Sequence, residues 1–283
     1  MREAVTENGL DLSDPAKIID SVISEQLTAI ATPEQRRSDR FRHLFTRLRR
    51  LAVLMAESLK REFAASAFRP FLFEYRLGDG GADPIRIKLS DGSDVSLNGC
   101  IDRVDLWRDG KEVYVRVVDY KTGSKKFSID DIKSGLNLQL LIYLFTLCRP
   151  DTDFAREVGC SEGKAPIPAA ANYLSSYLTT ISTTGLPDEA SITETALGRL
   201  DRSGVFLDDA AVLAALGSTP KQGRLDRESF DILRKELYSV IEALAEELRS
   251  GKASADPRIQ DGKSPCNFCS MNLICRSARK TRT

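Results

Sequence analysis

Gly99-Cys100-Ile101-Asp102-Arg103-Val104-Asp105-Leu106-Trp107-Arg108-Asp109-Gly110-Lys111-Glu112-Val113-Tyr114-Val115-Arg116-Val117-Val118-Asp119-Tyr120-Lys121 is the stretch whose reading decides the fold. Val113, Val115, Val117, Asp119 and Lys121 are spaced by twos, and residues two apart in an extended strand share a face. Asp109-Gly110 between two β-rich runs signals a two-residue turn, because both residues tolerate positive φ. With that turn, Arg108 pairs with Lys111, Leu106 faces Val113, Val104 faces Val115 and Asp102 faces Val117. Asp102 then lies diagonal to Asp119 on one face, about 7 Å away. Arg103, Asp105, Tyr114 and Arg116 take the opposite face.

Isolated acids on a sheet are usually solvated. These two end rows of Val and Leu, where neighbouring like charges are costly without a cation between them. Two carboxylates at this distance can grip one divalent ion, and hard oxygen donors suit Mg²⁺ or Mn²⁺. Lys121 beside them can position or deprotonate a water and face the charge that builds on a phosphoryl group.

Downstream, Gln139-Leu140-Leu141-Ile142-Tyr143 places Gln139 and Tyr143 four residues apart on one helical face. Leu136, Leu140, Leu144 and Leu147 form the adjacent apolar stripe. Alone, such a Gln and Tyr read as half-buried helix residues.

Taken together, these segments resemble the PD-(D/E)XK nucleases, and within them the RecB-like branch. Asn98 to Asp105 resembles that branch's G-x-I-D-R-x-D strand, Val118 to Gly123 its V-D-Y-K-T-G strand, and Gln139 to Tyr143 its Q-x-x-x-Y helix. The wording around Gly135 to Tyr143, with a cysteine cluster near the C-terminus, is most similar to the AddB group of the bacterial AddAB helicase-nucleases. The resemblance implies an α/β fold, the restriction-endonuclease-like mixed central sheet flanked by helices. It makes Asp102, Asp119 and the backbone carbonyl of Tyr120 ligands of Mg²⁺ or Mn²⁺ and Lys121 the catalytic lysine. Gln139 and Tyr143 would contact DNA or order the site. Glu74, in the strand-like run Phe71 to Arg76, aligns with a further acid of the branch, and reads equally well as an edge-strand acid.

Cys266, Cys269 and Cys275 lie in one short segment, a spacing that fits a soft metal centre. The resemblance completes this set with a distant upstream cysteine to hold a [4Fe-4S] cluster, but no cysteine precedes Cys100. Cys100, Cys148 and Cys160 read as ordinary thiols. The family's upstream G-x-x-x-H is also missing, since the one histidine, His43, stands outside any such motif. The chain is therefore expected to be the C-terminal piece of a longer protein, weakly active alone, with the cluster doubtful in it. It carries no G-x-x-x-x-G-K-[ST] phosphate loop, so an ATP-driven motor would lie elsewhere.

The 283 residues carry 41 basic and 41 acidic side chains, with 42% hydrophobic and 29% charged residues, an ordinary globular composition. Zero formal charge means that DNA binding would rest on local patches. A long helix between Pro33 and Ala65 offers one, with Arg36, Arg37, Arg40, Arg42, Arg47, Arg49 and Arg50 beside apolar Leu44, Leu48, Leu51, Leu54 and Met55; it reads equally as a solvated face. A second helix runs from Arg227 to Arg249 behind an Asp226 N-cap. Ala169 to Leu178 reads as a strand, and Gly185 to Asp209 as a loop with a short strand. With no apolar run of membrane length and no secretory start, a bacterial cytoplasmic setting is expected.

The expected organisation is a nuclease domain over 1–263, with a helical part about 14–67 and a catalytic core about 68–180, followed by a cysteine-rich iron-sulfur-type tail over 264–283. The expected function is that of a Mg²⁺-dependent DNA exonuclease domain in a double-strand-break repair helicase-nuclease, with DNA and an AddA-like partner subunit as partners. A stand-alone RecB-like exonuclease and a catalytically weak DNA-end-binding scaffold are the alternatives. Retention of Asp102, Asp119 and Lys121 together counts against the scaffold.

Overall fold

The computed structural model describes residues 5–6, 9–10, 14–78, 84–121, 127–150, 152–175, 188–198, 202–218, 220–252, 257 and 264–275. In chain order the elements are β1 (Val5–Thr6), β2 (Gly9–Leu10), α1 (Pro15–Ile30), α2 (Pro33–Arg37), α3 (Asp39–Ala65), β3 (Arg69–Leu77), β4 (Ile85–Lys88), β5 (Asp94–Leu97), β6 (Gly99–Asp109) and β7 (Glu112–Lys121). Then follow α4 (Asp130–Lys133), α5 (Gln139–Leu147), α6 (Asp153–Glu157), β8 (Ile167–Ser175), α7 (Glu189–Gly198), β9 (Arg202–Leu207), α8 (Ala210–Leu216), β10 (Arg224–Leu225) and α9 (Arg227–Arg249).

The central sheet has the order β10-β9-β8-β7-β6-β3. It is mixed, with β7 parallel to β8 and β9 parallel to β10, and the other pairings antiparallel. β7 is buried from Val113 to Asp119, which follows from its central place with helices on both faces. On one face Val113, Val115 and Val117 join a core with Leu140, Leu144 and Leu147 of α5 and Phe230, Leu233 and Leu237 of α9. On the other, Leu59 of α3 packs with Val118 and Leu174, backed by Phe63 and Tyr120. The separate hairpin β4–β5 leans on α9, where Ser90 N–H donates to Glu246 at 3.2 Å.

The hairpin β6–β7 differs from the sequence reading in register. Asp109 pairs with Glu112, so the turn is Gly110-Lys111, with Gly110 at φ 55°. Leu106 faces Val115 and Val104 faces Val117 rather than the partners expected. Each pairing moves by two residues, which preserves the period-2 faces. Continued one step past Arg103 and Val118, the register brings Asp102 directly alongside Asp119 instead of diagonal to it.

Three other expectations are corrected. The helix between Pro33 and Ala65 is broken at Ser38, whose N–H closes α2 on Gln35 while its hydroxyl accepts from Phe41 N at 3.3 Å to start α3. Leu44 and Leu48 there are 50% and 45% exposed, so the apolar stripe reaches the core only from Leu54 onward. Between Asp188 and Gly198 the chain forms a helix, not a loop. Asp188 caps it by accepting from Ser191 N at 2.7 Å, and Arg61 of α3 grips its Glu194 at 2.6 and 3.0 Å. Leu136 precedes α5 and is 49% exposed, outside the stripe predicted for it. Residues 176–178 and 185–187 of the two predicted segments lie outside the described residues. The helix Arg227–Arg249 starts at Asp226, as its sequence predicts, with the carboxylate accepting from Ser229 N at 2.8 Å. Among the described residues, no helix is long and apolar enough to cross a membrane.

Candidate active site

The ends of β6 and β7 bring together the residues singled out by spacing. Asp119 is 2% exposed, and its Oδ2 lies 2.5 Å from Lys121 Nζ. Asp102 turns its carboxylate to the same strand end, where Oδ2 accepts from Tyr120 N at 2.8 Å. Asp102 is thus tied to the residue between Asp119 and Lys121. The Lys121 ammonium also stands 5.4 Å from the centre of the Tyr173 ring, a favourable cation–π placement.

Tyr173 had no signal in the sequence beyond its place in an apolar strand. Burial, followed by the fields of Asp119 and Asp131, pushes its phenol up to about 12, so it stays protonated at neutral pH. Asp131 itself was likewise not anticipated; it accepts from the Asn137 side chain. Its only sequence signal was an Asp pair opening a short helix.

The helix motif docks where its spacing implies. Gln139 Nε2 donates to Tyr143 Oη at 3.2 Å, and Tyr143 is buried while Gln139 is exposed. A Cβ built on Gly99 would lie 2.6 Å from Tyr143 Oη. The glycine that opens β6 therefore makes room for the tyrosine of α5, three residues ahead of Asp102.

Glu74 sits across from Asp102, between the pairs Phe73–Arg103 and Tyr75–Ile101. Its side chain is exposed and its backbone has φ 50°, a conformation that costs a non-glycine residue on the order of 1–3 kcal/mol. The Cys100 thiol donates to Glu74 Oε2 at 3.5 Å, and burial, with Glu74 adding to it, pushes that thiol up. Burial likewise holds the Cys148 thiol protonated.

Behind the site, facing α3, the opposite row of the hairpin forms a buried charge network. Asp105 bonds Arg116 at 2.7 and 2.8 Å and Arg103 at 3.1 Å, while Glu62 of α3 meets Arg103 at 3.2, Arg116 at 2.7 and Arg202 at 3.0 Å. Glu62 would be raised by its burial, but Arg116, Arg103 and Arg202 outweigh this and lower its pKa. Burial also opposes the charge on Arg103, yet Asp105, Tyr120 and Glu62 raise its pKa. Arg103 Nη1 donates to Tyr120 Oη at 2.9 Å. Through Tyr120 the network holds the backbone that Asp102 grips.

The donor set fits a hard divalent cation. Asp102 and Asp119 offer carboxylate oxygens, and the Tyr120 carbonyl lies between Asp119 and Lys121 in sequence. Among the described residues, no group of three or more His, Cys, Asp or Glu that could hold a metal occurs. Two carboxylates suffice for Mg²⁺, which keeps several waters and takes one or two protein carboxylates. The cysteine segment fits less well. Pro265–Phe268 forms a 3₁₀ turn capped by Ser264, and Cys266, Cys269 and Cys275 are free thiols not gathered into a metal site. Three thiols are one short of the four that a [4Fe-4S] centre takes. His43 lies exposed on α3. Of the arginines predicted to form a patch, Arg42 pairs with Asp39 and Arg49 with Asp20 of α1, an arrangement closer to a solvated face.

The mixed sheet, the paired acids and the adjacent lysine define a nuclease-type centre. The sequence profile of the PD-(D/E)XK nuclease superfamily matches residues 2–276, and the chain belongs to this family. Among curated relatives, the chain is similar to proteins named as the second, B-type component of an ATP-dependent helicase/deoxyribonuclease. The one from Clostridium tetani is 28% identical over 91% of this chain and 24% of its own length. Those from Thermoanaerobacter sp. (strain X514) and Clostridioides difficile are 27% and 29% identical, over 97% and 84% of this chain and 25% and 22% of theirs. The chain spans about a quarter of the length of these relatives.

Proposed function

We propose that this chain hydrolyses phosphodiester bonds of DNA with Mg²⁺ or Mn²⁺, as the exonuclease part of a helicase-nuclease that processes double-strand breaks for repair and recombination. The observation that carries this reading is the buried Asp119 held 2.5 Å from Lys121, with Asp102 bonded to the intervening residue. Asp102, Asp119 and the Tyr120 carbonyl would hold the ion, whose contribution is to neutralise charge on the scissile phosphate and lower the pKa of a bound water. Lys121 orients the attacking water and faces the charge gathering on the phosphoryl oxygens. Tyr173 places the Lys121 ammonium, and Gln139 with Tyr143 fixes α5 against the start of β6. Arg103 and Glu62 keep the Tyr120 backbone in place from the far side.

The names of the relatives support placing the chain beside an AddA-like partner that carries ATP-driven unwinding. A [4Fe-4S] cluster on Cys266, Cys269 and Cys275 would need a fourth ligand from elsewhere in such an assembly. The reading is tested by incubating the chain and its Lys121→Ala variant with an end-labelled single-stranded oligonucleotide, with Mg²⁺ and with EDTA. Cleavage that needs both Mg²⁺ and Lys121 supports it. Binding without cleavage under every condition would instead favour a DNA-end scaffold.

A further inference from the structure

A cavity of about 920 Å³ opens on the α3 side of the sheet, between α3, β9 and the turn from α8 to β10. Its wall includes Arg202, Arg61, Lys221, Phe127, Leu197 and Leu216. Arg202 stands apart from the rest. Three guanidinium groups, those of Arg103, Arg116 and Arg202, share two carboxylates, those of Glu62 and Asp105. Arg103 and Arg116 are buried and take Glu62 Oε1 and both Asp105 oxygens between them. Arg202 is left with Glu62 Oε2 at 3.0 Å, and its side chain is 31% exposed at the cavity. It is the surplus cation of the cluster, and the one turned toward open space. Burial is the largest effect on it; Glu62 opposes that effect, but Arg116 and Arg103 add to it and the pKa falls. An anion in the cavity would relieve this.

The cavity also adjoins the candidate active site. Phe127 lines it, donates its N–H to Ser203 Oγ at 3.0 Å, and packs 6.3 Å from the Tyr173 ring that borders Lys121. Its volume is at the upper end of ligand-sized pockets, far more than a lone phosphate fills. Apolar Phe127, Leu197 and Leu216 offer surface to a base beside the cationic groups.

We propose that this cavity is a second nucleic-acid subsite, in which Arg202 and Lys221 hold a phosphate of the same single strand of DNA that reaches Asp119 and Lys121, with a base against Phe127. The inference rests on the proposed nuclease function and adds a place for the strand beyond the scissile bond.

The test uses the 283-residue chain, fluorescence anisotropy of a labelled oligothymidylate in EDTA over a series of salt concentrations, and the variants Lys221→Gln, Arg202→Gln and Arg202→Lys. Each lost phosphate contact should lower the slope of log affinity against log salt by about 0.7. Lys221→Gln and Arg202→Gln are expected to bind several-fold more weakly with this smaller slope, and Arg202→Lys to regain much of both. Arg202→Gln should keep or raise the melting temperature, because it removes the cation that Glu62 and Asp105 do not balance. Unchanged affinity and slope in Lys221→Gln and Arg202→Gln, with Mg²⁺-dependent cleavage intact in the parent, overturns the subsite alone. A parent chain that neither binds nor cleaves the oligonucleotide overturns the nuclease reading as well. If inorganic phosphate raises the melting temperature of the parent but not of Arg202→Gln while oligonucleotide affinity is equal in both, the cavity is a free-phosphate site and the proposal fails.

Discussion

The hydroxyl of Tyr143 occupies the space that a Cβ on Gly99 would need, 2.6 Å from where that atom would stand. This contact couples α5 to the strand that carries Asp102. The pairing gives a physical reason for a glycine at the first position of β6 and a tyrosine four residues after Gln139. Gly99→Ala is expected to push Tyr143 out of place, cost about 1–3 kcal/mol of stability and lower cleavage more than its loss of stability explains. Thermal denaturation and cleavage rates on one preparation check both.

Tyr143→Phe removes the acceptor of the 3.2 Å bond from Gln139 while keeping the ring in the core. Stability is expected to fall by about 0.5–1.5 kcal/mol, with a larger effect on KM for DNA than on kcat. Equal KM in the variant and the parent would remove Gln139 and Tyr143 from any part in substrate placement.

Glu62 is the shared partner of Arg103, Arg116 and Arg202. Glu62→Gln leaves buried guanidinium groups without their carboxylate and should cost about 3–5 kcal/mol. Its pKa is lowered on folding from an ordinary 4.5. Its stabilising contribution is therefore fully present above pH 4.5 and lost as the pH falls through the lower folded value. Melting temperatures taken downward through that window should drop more steeply for the parent than for Glu62→Gln.

Cys266, Cys269 and Cys275 provide three thiols in the tail. Protein purified anaerobically should hold fewer than four irons per chain, and aerobic protein fewer still. Iron and acid-labile sulfide analysis settles the number. Four irons retained after Cys100, Cys148 and Cys160 are each replaced by Ser would show that three cysteines suffice.

The faces of β6 and β7 were legible because a period of two survives an error of two in register. The turn itself was not, since Asp-Gly can occupy either the loop or its flank; here Asp109 pairs and Gly110 alone takes positive φ. Asp102, Asp119 and Lys121 could be read from spacing. Tyr173 could not, because it arrives from β8 by a parallel pairing that local sequence does not encode. The same holds for the partner of Arg103 and Arg116: their face was legible, but that α3 brings Glu62 to it is a tertiary fact. The helix at Glu189–Gly198 was missed because its sequence is weakly amphipathic and its support comes from Arg61 of α3.

The central claim is that Asp102 and Asp119 hold the ion that drives cleavage. The most direct measurement is the rate of single-strand oligonucleotide cleavage against Mg²⁺ concentration for the parent and Asp119→Asn, on samples of matched melting temperature. The account predicts a slow parent rate that rises with Mg²⁺, and a variant rate lower by at least about 10–100-fold at every concentration. A variant that cuts at the parental rate with the parental Mg²⁺ dependence would contradict it.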